Sequence, residues 1–219
     1  MKNQIAQQTN IQCFLLETTN TFLASLRRFV FSGSSNACPS AHGYHDAQAP
    51  IDTIDRNNIK GSDGPVSGDL HDHFDSRWPK KCAHCDYQFV DTDQWQVFHD
   101  EIYLSKASHA FSSSLRSSEY MTLREAPVGA MWDAHWYSRS GPDGIHLMVR
   151  LPGKYDWHVD GRANNCTLPN DDKHYCWVRH GVQPLVTVDK NGHTCKAGAG
   201  SIQTPDWHGF LRNGYLVTS

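Results

Sequence analysis

Two short segments, His174-Tyr175-Cys176 and His193-Thr194-Cys195, each place an imidazole two residues from a thiol. Residues two apart share one face of an extended strand, so together the segments can offer four ligands to one divalent metal. Cys166, ten residues before Cys176, adds a further candidate. Three cysteines with one histidine, or both His-x-Cys pairs alone, would each satisfy tetrahedral zinc. Such a site is closed by protein ligands and has no position for a reactive water, so its expected role is structural. Upstream, Cys82-Ala83-His84-Cys85 follows Trp78-Pro79-Lys80-Lys81 and leads into an aromatic segment. A turn presenting two thiolates needs two more ligands, for which His71, His73, His99 and the distal cysteines are candidates. One or two structural zinc ions are therefore expected, with Cys82, Cys85, Cys166, His174, Cys176, His193 and Cys195 as the ligand pool.

The competing reading is a scatter of unligated thiols, since fourteen histidines make chance clusters easy. A redox dithiol at Cys82 and Cys85 lacks the surrounding strand and helix pattern of thioredoxin-like motifs. Composition favours metal: only 38% of the 219 residues are apolar and mean hydropathy is −0.59, so part of the stability must come from elsewhere. A net charge of −3 and a pI near 6.5 argue against a general nucleic-acid binder. Single-strand binding through exposed tryptophans is kept as a minor reading. Seven cysteines cannot all pair in intramolecular disulfides. No secretory pattern is read at the N-terminus, so reduced thiols and a cytoplasmic location are expected.

All seven tryptophans lie at or beyond Trp78, which assigns the aromatic core to the C-terminal two-thirds. Ile11, Leu15, Phe22, Leu26 and Phe29 or Val30 recur with a helical rhythm and end near Arg27 and Arg28, which predicts an amphipathic helix over 11–31. Glu17, Thr18, Thr19 and Asn20 interrupt the apolar run, so it does not read as a membrane span. A cleaved leader is the secondary reading of this acid-poor, Ser/Thr-rich segment. Residues 32–69 mix Gly, Ser, Asn, Asp and Pro and read as a linker, so residues 1–69 together look like an extension. From His71 onward short strands alternate with turns. A helical turn is expected near Thr92 or Asp93, capping Trp95 to His99, and a surface loop over 105–118. Pro152-Gly153-Lys154 predicts a hairpin, and Asn213-Gly214, between Gly209 to Arg212 and Tyr215 to Val217, is the strongest hairpin signal of the chain.

His71-Asp72-His73-Phe74-Asp75 has the ligand types of a metal-dependent hydrolase, whose open metal position activates water. Ser76 stands where such a string would carry its next histidine, so catalysis by His71, His73 and Asp75 is the alternative and a solvated loop the simpler reading. Asp91-Thr92-Asp93 reads as dipole-complementing acids. Gly198-Ala199-Gly200-Ser201 lacks the lysine and the spacing of a phosphate loop. Trp132, Trp136, Trp157, Trp177 and Trp207 are expected to pack in the core.

The run from Trp157 to Cys166, Tyr175 to Gly181, Gly192-His193-Thr194-Cys195, Gly198 to Ile202 and His208-Gly209-Phe210-Leu211-Arg212-Asn213-Gly214 resembles uncharacterised proteins of tailed bacteriophages and actinobacteria. His73-Phe74-Asp75-Ser76-Arg77-Trp78-Pro79 with Cys82 and Cys85 extends the resemblance to about residues 70 to 217. The ending is also distantly similar to a bacterial domain of unknown function that closes on Pro-Ser-Ile and His-x-Phe-Leu/Ile-x-x-Gly, with Gly200 here in place of the proline. The resemblance implies a phage or mobile-element accessory protein and brings no established reaction. The expected fold is α+β, mainly β: a zinc-stapled antiparallel sheet domain over 70–219, preceded by the helix and flexible linker of 1–69. The expected function is a non-enzymatic structural-zinc module acting on an unknown protein partner in the host cytoplasm.

Overall fold

Short runs of β-branched and aromatic residues between Gly, Pro, Asn and Asp turns suit strands, and are too short for helices, which need about 12 residues to be stable alone. The computed structural model describes residues 10–30, 38–39, 43–55, 76, 78–106, 120–197 and 200–219. In chain order its strands are β1 (Asn10–Gln12), β2 (Phe14–Val30), β3 (His45–Asp55), β4 (Gln94–Lys106), β5 (Tyr120–Thr122), β6 (Ala130–Asp133) and β7 (Leu147–Leu151). They continue as β8 (Tyr155–His158), β9 (Val178–His180), β10 (Thr187–Asp189), β11 (Ile202–Gln203), β12 (His208–Arg212) and β13 (Tyr215–Thr218). The mainly-β expectation holds.

The N-terminal helix does not form: the segment expected as helix over 11–31 is β1 and the 17-residue β2. A second set of apolar residues in the same segment falls on alternate positions. Phe14, Leu16, Ala24 and Leu26 are all buried and all even-numbered, which suits a strand equally well. Thr18, Thr19 and Thr21 lower helix propensity, and pairing with β3 then decides the matter. That pairing runs antiparallel from Thr21↔Asp55 to Val30↔His45, with a shift between Ala24 and Ser25. Part of the expected linker is therefore β3. The helical turn near Thr92 is also absent, because Gln94–Lys106 is β4; Asp93 instead closes a turn by accepting the Val90 N–H at 2.8 Å. The boundary expected between residues 69 and 70, and most of the 105–118 loop, lie outside the described residues.

The chain divides into two compact units, Thr18–Ile102 and Met1–Glu17 with Tyr103–Ser219. In the first, β2 lies between β3 and β4. Its described apolar cluster is small, with Cys38, Ala47, Cys82 and Phe89 buried and Val30, Cys85 and Tyr87 against them.

In the second unit, β6, β7 and β8 pair antiparallel, and Phe14 and Leu15 pair parallel with Ala130 and Met131. β7 is buried along its whole length, so its two faces serve two cores. Leu147, Val149 and Leu151 pack with Val159, Val186, Val188, Ile202, Leu211 and Leu216, whereas Met148 joins Phe14, Tyr103, Met121 and Trp132. A four-stranded sheet, β1-β13-β12-β11, supplies Leu211 and Leu216 as a directly opposed pair. The predicted hairpins form at both places: Pro152–Lys154 joins β7 to β8, and Asn213 and Gly214 turn β12 into β13 with φ of 45° and 75°. Arg179 of β9 is held between Asp160 and Asp143. Gly141 lets this guanidinium approach, since a Cβ there would sit 1.9 Å from Arg179 Nη2. Of the tryptophans expected in the core, Trp132 is fully buried in the Met148 cluster, whereas Trp157, Trp177 and Trp207 pack partly buried against the Leu147 cluster, and Trp136 is exposed.

Leu216→Ala should lower the unfolding free energy by about 2–5 kcal/mol, seen as a lower urea midpoint at unchanged slope. A loss of less than about 1 kcal/mol would contradict the burial described.

Candidate metal centres

Two clusters of three cysteines and one histidine converge among the described residues, Cys38/His45/Cys82/Cys85 and Cys166/His174/Cys176/Cys195. In each, the four ligand atoms lie within 4.8 Å of one another. A zinc–sulfur bond of about 2.3 Å in a tetrahedron separates two sulfurs by about 3.8 Å. The Sγ–Sγ distances of 3.8 Å for Cys38–Cys82 and 3.7 Å for Cys176–Cys195 match that spacing. Both clusters can hold a metal ion.

The first centre belongs to the Thr18–Ile102 unit. Its Cys-x-x-Cys sits in a tight knuckle: Cys82 N–H donates to the Tyr87 carbonyl and Phe89 N–H to the Lys80 carbonyl, both at 2.9 Å, around a Lys81↔Gln88 bridge. Inside the turn His84 N–H points at Cys82 Sγ, 3.4 Å away, a donor that stabilises a thiolate. The remaining ligands are Cys38 and His45, the latter opening β3 with Nδ1 3.2 Å from Cys85 Sγ. The His45 ring stacks on Tyr87 at 4.2 Å. Asp46 fastens β3 to the knuckle, its carbonyl accepting Ala83 N–H and its carboxylate facing His84 Nε2 and Arg27. His84 is thus turned outward from the cluster, and His99 is not among its ligands.

The sequence reading did not identify Cys38 or His45. The available signal was the incomplete Cys82/Cys85 pair, but the missing ligands lie in a stretch whose composition suggests a linker. His71, His73 and Asp75 lie outside the described residues.

The second centre joins a loop and two extended segments of the other unit. His174 Nε2 lies 3.2 Å from Cys166 Sγ and 3.8 Å from Cys176 Sγ. On its other side His174 Nδ1 donates to the Asp171 carbonyl at 2.6 Å, which fixes the tautomer and leaves the Nε2 lone pair for a metal. The ring is completely buried. Ala163 N–H donates to Cys176 Sγ at 3.3 Å and Ala197 N–H to Cys195 Sγ at 3.4 Å. Lys190 Nζ donates to the carbonyls of Cys176, Cys195 and Ala197 at 2.7 to 2.9 Å, bringing a cation beside the thiolates and tying both segments together. Arg162 adds a second cation, its Nη1 3.8 Å from Cys166 Sγ.

His193, expected in the ligand pool, lies outside this set of four. Its Nε2 is 2.7 Å from Asp171 Oδ2, and the side chain is largely exposed. The Tyr175↔Thr194 bridge is parallel, and Tyr175 N–H donates to the His193 carbonyl. That register brings Cys176 and Cys195 together while the two histidines take different neighbours. Asp171 therefore supports both, accepting from His174 with its carbonyl and facing His193 with its carboxylate. Cys13, the seventh cysteine, is isolated in the apolar core, where burial pushes its thiol up to about 12.

The second centre distributes its acidity unevenly. Burial raises Cys176 to about 11. Burial also opposes ionisation of Cys195, but hydrogen bonds from the Thr167 and Ala197 backbone and from neighbouring thiols outweigh it and bring the thiol down to about 6. At neutral pH Cys195 is a thiolate and Cys176 retains its proton, which a metal must displace. Apparent metal affinity should then rise about tenfold per pH unit for each proton released, and fall more steeply once Cys195 is protonated, below about pH 6. Competition against a chromophoric chelator across this range measures the slope, and a pH-independent affinity would contradict the assignment. His174→Ala should remove one metal equivalent, whereas His193→Ala should keep metal content unchanged.

Comparison of the chain with known protein families, curated proteins and solved structures finds no match.

Proposed function

We propose that this protein is a non-catalytic, zinc-stapled interaction module whose metals maintain the fold and whose work is done through contacts with a protein partner. One observation carries the reading: each centre gathers four protein ligands at tetrahedral spacing. Four protein ligands leave no coordination position for substrate or activated water, which separates structural zinc from catalytic zinc. Three thiolates and one imidazole are soft and borderline donors that suit zinc.

The scale of metal binding supports the same conclusion. Structural zinc in small modules contributes about 10–16 kcal/mol at neutral pH, comparable to the whole stability of about 5–15 kcal/mol of an ordinary domain. In the Thr18–Ile102 unit two of the four buried members of the described cluster, Cys38 and Cys82, are themselves ligands, so a metal there would be part of the core. Cysteines held for metal also suit a reducing compartment, in keeping with a cytoplasmic protein. The motif resemblance to phage and actinobacterial proteins supports an accessory role encoded by a mobile element. No helix among the described residues is long and apolar enough to cross a membrane.

Elemental analysis of the purified protein should find two zinc ions per chain, with six of the seven thiols unreactive until a chelator is added. Chelation should also abolish the cooperative unfolding transition. Native protein without metal and with all six cluster thiols freely reactive would overturn the reading.

A further inference from the structure

A cleft of about 700 Å³ opens in the unit that holds the Cys166 centre, within the range of about 300–1,000 Å³ typical of ligand sites. Two of its walls are the ends of sheets. Among the described residues β8 is paired only by β7, and β11 only by β12. Val159 N–H donates to the Leu147 carbonyl, and this sets the phase of the β7–β8 ladder: Trp157 and Tyr155 exchange hydrogen bonds with β7. By alternation the N–H and C=O of Asp156 then point away from β7, as the open side of an edge strand.

The side chains around this edge are mostly aromatic or amide, and its charged members are paired. Trp157 and Trp177 meet edge to face at 5.6 Å, and Tyr155 and Tyr137 stand at the cleft 38% and 43% exposed. Asn164, Asn165 and Gln203 also line it, and among the described residues their side-chain amides make no hydrogen bond to the protein. An amide carries both donor and acceptor, as a peptide group does. The charged lining residues are already paired, Asp156 with Arg150 and Arg162 with Asp172. Among the described lining residues the one cation, Arg162, is committed to Asp172 and to backbone carbonyls, which leaves none for a phosphate backbone.

The geometry points to this cleft as a peptide site that takes an extended, uncharged, apolar segment of a partner protein as an added strand on β8. Main-chain hydrogen bonds to Asp156 supply affinity, and the aromatic rings receive alternate side chains. The metal centre shapes the wall, because the loop supplying Asn164 and Asn165 ends at Cys166 and Trp177 follows Cys176. This inference rests on the interaction-module reading and names the partner's chemistry.

The test is selection of a random heptapeptide display library on the metal-loaded full chain, followed by titration of synthetic binders using tryptophan fluorescence. Neutral apolar peptides should be enriched, and Tyr155→Ala and Gln203→Ala should each weaken them by about 3- to 10-fold, with metal content and melting temperature unchanged. N-methylation of alternate backbone amides should remove binding, and bound peptide should slow hydrogen exchange at the Asp156 amide. Failure to enrich any peptide, binders indifferent to both substitutions and to N-methylation, or displacement by neutral oligosaccharides or oligonucleotides would overturn the assignment. Because two bound zinc ions and intact folding are verified in the same sample, such a failure removes the cleft assignment while leaving the structural-metal reading standing.

Discussion

Convergence of three thiol sulfurs and one imidazole nitrogen within 4.8 Å, at two places in the chain, is the constraint on which the rest of the structure depends. Three thiolates this close repel one another unless a cation sits among them. The surroundings are arranged to favour that charge: backbone N–H groups face Cys82, Cys176 and Cys195, and the Lys190 ammonium bridges the carbonyls beside two of the ligands. Six of the seven cysteines are engaged in this way, and the seventh, Cys13, is simply a small apolar side chain in the core.

The two centres solve the same problem with different local means. In the Thr18–Ile102 unit a tight knuckle presents Cys82 and Cys85, and the start of β3 brings His45 to it, with Asp46 locking strand and knuckle together. In the other unit Cys166 comes from a loop, His174 and Cys176 from one extended segment and Cys195 from another. There Asp171 and Lys190 organise the supporting hydrogen bonds. In both cases the four ligands come from stretches many residues apart, so a bound metal would close long loops and remove much of the freedom of the unfolded chain.

In the proposed reading, closed coordination also decides where function resides. A metal held by four protein ligands would maintain structure without offering a reaction centre, so recognition would fall to surfaces beside the centres. The aromatic cleft beside the Cys166 centre is the surface proposed for it. Its walls are edge strands and a metal-anchored loop, and its charges are already neutralised. Preorganisation of this kind lowers the ordering cost that a partner would otherwise meet on binding.

Much of this was legible in the residues themselves. Strand content and both predicted hairpins follow from local spacing, because period-two patterns and an Asn-Gly turn act over a few residues, and the His-x-Cys pairs with Cys166 marked a ligand pool without saying which members meet. Three things were not legible. The segment of β1 and β2 reads as a helix because Ile11, Leu15, Phe22, Leu26 and Phe29 or Val30 recur near a helical period, whereas Phe14, Leu16, Ala24 and Leu26 of the same segment alternate as in a strand, and only pairing with β3 separates the two. Cys38 and His45 complete a site begun by Cys82 and Cys85 from far along the chain, out of a stretch whose composition suggests a linker. His193 shares the His-x-Cys spacing of His174, yet the parallel register of the two segments and the Asp171 carboxylate turn it outward. Local spacing fixes which donors are available and where the hairpins turn; which donors meet depends on strand pairing and loop closure, because these act between residues that local spacing cannot relate.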